Sequence, residues 1–312
     1  MGEFLAVISA FFYGASNIYV NQGIVEEKLN NYEGLFLSLL VNNILNFLIL
    51  PFYLIFVSLP SYNFIGLFSY AVAGVLTSFL ARILLFACIE RIKASRASVL
   101  KITAPVFTVI FGITVLNENV NVYELLGIVI VLVGVFIISW DSNRLTKDHG
   151  NGIDEDRNFS SNFLNSRTLK IGILLGILAG LSLGSGNIFR KLGTDFYGNP
   201  FIGVLIGSLV SISLVAITSI FTDKIDLSKV FKKASISRSY FIVGLWYSLA
   251  TYSIFVALDY APVSIVNALS STQPFFALIL SALILKKEDL ITLMLVIGSI
   301  VVIAGSALIF IF

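Results

Sequence analysis

The sequence predicts an all-α, polytopic membrane protein with ten transmembrane helices arranged as two inverted five-helix repeats. Three observations predict it: an apolar excess beyond that of soluble chains, ten hydrophobic runs of spanning length, and an internal duplication. Of 312 residues, 57% are hydrophobic and 12% charged, and the mean hydropathy is +0.96. Soluble domains carry about 25% charged residues. This much apolar surface can be hidden only against lipid or against other helices.

A helix crossing the hydrocarbon needs about 20 mainly apolar residues. Such runs lie near 3–22, 34–57, 64–89, 97–116, 122–140, 170–192, 200–221, 239–258, 263–285 and 290–311. They are too long and too unalternating for barrel strands, and irregular backbone cannot face lipid. The first run lacks a basic leader and a small-residue cleavage site, so it is expected to be retained as a helix. Residues 1–140 form the first five-helix unit, 141–169 a polar tether and 170–312 the second unit.

A shift of 170 residues exposes the duplication. Gly2, Ala6, Ala10 and Gly14 then fall on Gly172, Gly176, Gly180 and Gly184, Asn17-Ile18 on Asn187-Ile188, and Gly23 on Gly193. In the fourth and ninth helices, Thr103-Ala104-Pro105-Val106-Phe107 resembles Thr272-Gln273-Pro274-Phe275-Phe276. Each then runs to an acidic residue, Glu118 or Glu288. Gly127 and Gly134 match Gly298 and Gly305. An odd number of spans per copy sends the second copy into the membrane upside down. Inverted repeats of this kind recur in secondary transporters, with the substrate held between the halves near the midplane.

The residues also exclude chemistry. Net charge is +2, with no basic patch interleaved with aromatics, so no nucleic-acid partner is expected. The lone Cys88 permits neither a disulfide framework nor a thiolate cluster. The lone His149 lies in the tether, and no acidic pair sits near a span's midpoint. Metal sites, cofactors and intramembrane catalysis therefore have no residues to use.

These landmarks resemble the EamA-type branch of the drug/metabolite transporter superfamily. The resemblance rests on Gly14-Ala15-Ser16-Asn17 and Gly184-Ser185-Gly186-Asn187 in the first helix of each copy, and on the runs from Pro105 to Glu118 and from Pro274 to Glu288. It covers nearly the whole chain outside the tether and implies a ten-helix carrier of small molecules. Tyr13 and Leu183 stand where relatives often carry Trp, and the second and seventh helices lack an Arg often found near their starts. Small multidrug exporters resembling half of this fold keep a glutamate in the middle of the first helix. This chain has none there, which points away from cationic drugs.

Of the 20 Lys and Arg residues, all but Arg82, Lys101, Arg190 and Lys191 fall in segments following odd-numbered helices. The positive-inside rule then places both termini outside, in a multi-pass protein expected in the plasma (cell) membrane.

Arg82 lies about two turns inside the third helix, where an ionised side chain normally faces a cavity or a partner. It reads as an anchor for carboxylate or phosphate, or as a structural Arg paired with Glu90. Tyr247 and Thr251 would form a polar strip on the eighth helix, opposite Ser78 and Arg82. Asn17 and Asn187 line the cavity or bond across the seam. Asn267, Ser270 and Gln273 share the polar side of the ninth helix and are further cavity candidates, and Lys101 is expected to snorkel. Pro105 and Pro274 are candidate gating kinks. Glu118, Glu288 and Trp140 are expected at membrane interfaces.

The combined reading is a secondary transporter, working by alternating access, for a small polar metabolite, zwitterionic or anionic, such as an amino acid or organic acid. Its expected partners are that substrate, membrane lipid and a coupling ion (proton or sodium), in a monomer or homodimer. The alternative is a lipid-handling or scaffolding membrane protein, which would show no polar crevice.

Overall fold

The computed structural model describes residues 1–27, 31–101, 103–148, 167–221, 238–285 and 293–311. Among these, all regular structure is helical: α1 (Gly2–Glu27), α2 (Asn31–Phe56), α3 (Phe64–Gly74), a π-helical turn (Val75–Leu80), α4 (Ala81–Lys101), α5 (Thr103–Val115), α6 (Val122–Asp148), α7 (Arg167–Tyr197), α8 (Pro200–Phe221), α9 (Arg238–Tyr260), α10 (Val263–Ser270), α11 (Gln273–Leu285) and α12 (Leu293–Ile311). Helices satisfy every backbone polar group internally, as the hydrocarbon demands.

Five stretches among the described residues are long and apolar enough to cross a membrane: Tyr32–Phe56, Phe64–Ile89, Lys170–Tyr197, Pro200–Ser219 and Phe241–Tyr260. Shorter apolar helices cover Gly2–Ser16, Thr103–Val115, Val122–Ile137 and Val296–Ile311. Large apolar side chains such as Phe47, Phe52, Ile55 and Phe56 on α2 stand exposed, as a lipid-facing surface requires.

Several boundaries differ from the sequence expectation: α1 runs to Glu27 and α6 to Asp148, past the expected ends at 22 and 140. α7 continues to Tyr197, past the expected end at 192, so Arg190 lies inside a helix instead of at its membrane edge. Helical hydrogen bonding also runs through the expected break at 90–96, a stretch with neither Gly nor Pro to stop it. The chain nonetheless reverses there. A methyl built on Gly176 would stand 3.0 Å from Leu100 Cβ and 3.1 Å from Cys88 Sγ. A straight helix would hold those two residues about 18 Å apart.

Pro105 and Pro274 each sit in the first turn of a helix, α5 and α11. A missing N–H costs nothing there. Ser271 and Thr272 separate α10 from α11 as a hydrogen-bonded turn, with Thr272 N donating to Leu269 O at 3.2 Å. Pro274 thus opens a new helix after the break.

The core forms between the N-terminal part of the chain (α1–α6) and the C-terminal part (α7–α12). α1 packs on α9, α10 and α11, while α7 packs on α3, α4 and α5. α2 meets α9, α8 meets α3, and α6 meets α12. Exchanging the two parts maps these pairings onto one another. The correspondence reaches single atoms. A methyl on Gly14 would meet Gln273 O, Ala277 N and Phe276 Cβ, each at 2.9 Å. A methyl on Gly184 would meet Ala104 O at 3.0 Å, Thr108 N at 3.1 Å and Phe107 Cβ at 2.7 Å. α6 and α12 cross antiparallel through glycines: a methyl on Gly127 or Gly305 would meet the other's carbonyl at 2.9 Å, and one on Gly134 would meet Gly298 O at 3.0 Å.

Glu118, expected at an interface, ties the two parts together. Asn117 turns with φ 52° after α5. The Glu118 carboxylate then accepts Val263 N at 2.5 Å, Ser264 N at 3.1 Å and Ser264 Oγ at 2.6 Å, capping α10. Glu288, its counterpart in sequence, lies outside the described residues.

Gly184→Ala should lower the thermal stability of the detergent-purified protein by about 1–3 kcal/mol through overpacking. Gly207→Ala, whose methyl would find its nearest neighbour at 3.6 Å, should be neutral. Glu118→Gln should cost about 1–3 kcal/mol in the same unfolding measurement, because backbone donors at the start of α10 lose a charged acceptor.

Candidate functional site

A small pocket of about 20 Å³, room for about one water, lies between the two parts of the chain. α2 contributes Asn42, the π turn Thr77 and Ser78, α7 Arg190, α8 Ser208, and α9 Tyr247 and Thr251. The π turn widens the helix by one residue, and π turns frequently mark functional sites. Here Thr77 and Ser78, adjacent in sequence, are both buried.

Arg190 is the dominant charge. It is 6% exposed and donates to Thr77 Oγ1 at 2.9 Å and Asn187 Oδ1 at 3.2 Å. Its guanidinium lies 5.3 Å from the centre of the Phe255 ring, a cation–π contact worth up to about 2 kcal/mol when desolvated. Both hydrogen-bond partners are neutral, and no carboxylate among the described residues pairs with it. A buried charge left without a counter-charge costs several kcal/mol. The adjacent Lys191, by contrast, pairs with Asp195 at 3.0 Å and donates to Leu258 O at 2.6 Å.

Arg82, half-buried on α4, lies with its guanidinium 4.5 Å from the centre of the Tyr247 ring. Tyr247 meets the Tyr13 ring edge-on at 5.6 Å, and the Tyr13 hydroxyl bonds with Thr251 Oγ1 at 3.2 Å. Arg82 therefore flanks the cavity behind an aromatic wall. Thr251 and Tyr247 come from one face of α9, one turn apart, as expected of a polar strip.

The remaining candidates lie elsewhere. Asn187 is buried one turn before Arg190 and holds it. Asn267 donates to Thr108 Oγ1 at 3.1 Å, bonding α10 to α5. Ser270 turns its hydroxyl back to Asn267 O at 3.2 Å. Gln273 stands where α11 meets Gly14. The side chains of Asn17, Glu90, Lys101 and Trp140, and the whole of His149, lie outside the described residues.

Sequence reasoning passed over Arg190, Asn42, Asn43, Thr77 and Ser208. Asn43 and Ser208 bond α2 to α8, Ser208 Oγ donating to Asn43 Oδ1 at 3.1 Å. Asn42, 1% exposed, accepts from Asn46 Nδ2 at 2.7 Å. Three asparagines within one turn of an otherwise apolar helix were the available signal. Arg190 was hidden because the span expected over 170–192 put it at the membrane edge, where a basic residue is ordinary.

The sequence model of the EamA-like transporter family matches residues 1–140 and again 170–311, so the resemblance read from the duplicated landmarks holds. No curated protein matches the chain. A solved crystal structure shares the fold with a TM-score of 0.74 at 10% identity, covering 99% of this chain and 97% of that one. With two family matches spanning nearly all of it and long apolar helices along its length, the chain is a multi-pass integral membrane protein and belongs to the EamA-like transporter family.

Proposed function

We propose that this chain is a secondary transporter working by alternating access, and that its cargo is a small polar metabolite, zwitterionic or anionic, such as an amino acid or organic acid. The observation that carries this reading is Arg190. It is a buried guanidinium with neutral partners, lining a small pocket where the two parts of the chain meet. Arg82 adds positive charge from behind Tyr247. Among the described residues lining the cavity there is no carboxylate to hold a cation.

The architecture that supports alternating access is ten spans in two inverted units, 1–140 and 170–312, joined by the 141–169 tether. In favour of it are the matching contacts of Gly14 and Gly184 and the antiparallel crossing of Gly127 and Gly134 with Gly305 and Gly298. Two near-equivalent units can exchange conformations around a site fixed between them. Proton or sodium coupling supplies the driving force, and the Lys/Arg distribution favours termini outside a plasma membrane. A lipid-handling or scaffolding role would leave the seam apolar. Asn42, Thr77, Arg190 and Ser208 make it polar.

In proteoliposomes screened against amino acids and organic acids, Arg82→Ala should abolish uptake of the transported solute while leaving the protein folded by thermal unfolding. Uptake at the wild-type rate would remove Arg82 from the site. For orientation, a Cys88→Ser chain carrying a new cysteine at its N-terminus should react with a membrane-impermeant maleimide on intact cells. Labelling only after permeabilisation would reverse the assignment.

A further inference from the structure

Resting on the transporter reading, we infer that the cargo is a small organic carboxylate without an ammonium group, clamped between Arg190 on α7 and the Asn42 amide on α2. Two unspent donors face one cavity from opposite parts of the chain. Arg190 gives one N–H to Asn187 Oδ1 and one to Thr77 Oγ1. The rest of its planar fork, which matches a carboxylate's two oxygens, has no partner among the described residues. Asn42 spends its carbonyl oxygen on Asn46 Nδ2. Its Nδ2, fully buried, has no hydrogen-bond partner among the described residues. A buried donor left unmade is costly, and here one lies in the same cavity as an uncompensated cation.

The groups between them do not compete for the role. Thr77 Oγ1 donates to Ala73 O at 2.8 Å, Thr251 Oγ1 to Tyr247 O at 2.8 Å, and the one Ser208 hydroxyl proton is shared between Asn43 Oδ1 and Leu205 O. Their protons are spent inside the protein. An oxyanion bringing lone pairs and a negative charge satisfies both Arg190 and Asn42 at once.

An ammonium finds no such welcome. No carboxylate lines the cavity among the described residues. The two aromatic rings bordering it each already face a guanidinium, Tyr247 that of Arg82 and Phe255 that of Arg190. A zwitterion would bring its positive end into the field of two cations at low dielectric. The cavity, now about the size of one water, favours a compact acid over a bulky one.

Thermal unfolding of the purified protein with pyruvate, lactate and succinate, against alanine, glutamine and inorganic phosphate, tests the assignment. At least one acid should raise the Tm in a saturable way, with alanine, glutamine and phosphate inert. Asn42→Asp keeps an acceptor for Asn46 but replaces the unspent donor with an oxygen, and should weaken the apparent affinity about tenfold or more. Arg190→Lys keeps the charge, loses the fork, and should do the same. Stabilisation by alanine, glutamine or phosphate but by no acid would overturn the inference. So would acid binding unchanged in both variants, or no response to any probe. Proteoliposome uptake separates the two levels: transport of a zwitterion would sink the carboxylate and leave the transporter reading standing, whereas no transport of any solute would sink both.

Discussion

Backbone-to-backbone approach across the seam, at Gly14 against α11, Gly184 against α5 and the Gly127–Gly305 crossing of α6 with α12, is the constraint on which the rest of the structure depends. Lipid is as apolar as leucine, so membrane helices gain little by hiding apolar faces from it. They hold together through close packing and polar contacts. The main hydrophobic cluster draws Ala6, Tyr70, Ile128 and Val131 from one part of the chain and Ile188, Phe255, Leu258 and Val302 from the other. The extensive helix contacts run between the parts, not within them. Each part therefore supplies half of a core that exists only when the two are joined.

Polar groups are tolerated at such a seam because the opposite part satisfies them. Ser9 Oγ reaches Ala250 O at 2.9 Å, Ser182 Oγ reaches Leu76 O at 2.9 Å, and Ser211 Oγ reaches Gly74 O at 3.0 Å. Glu118 does the same at one rim by capping a helix of the other part. Against this background of satisfied groups, Arg190 and the Asn42 amide are the exceptions. They converge on one cavity, and exceptions of this kind mark sites where a ligand completes the bonding. Arg82 belongs to the same electrostatic neighbourhood without entering the cavity wall, because the Tyr247 ring stands in front of it.

The sequence by itself determined the helical membrane class, the duplication and the family, because each rests on properties that survive without coordinates: run length, mean hydropathy and the order of Gly, Pro and Glu landmarks. It also placed Ser78, Tyr247 and Thr251 on polar faces, since helical periodicity alone decides which residues share a side. What only the tertiary structure decided is which of those faces meet. Asn267 meets Thr108 because α10 packs against α5 across the seam. Arg190 entered the interior because α7 continues beyond the length that hydropathy required. Asn42 became the unpaired donor because Asn46 and Ser208 took up the bonding around it. Hydropathy reports the cost of leaving water. It carries no information on the partner across the seam, and a buried polar group takes its meaning from that partner.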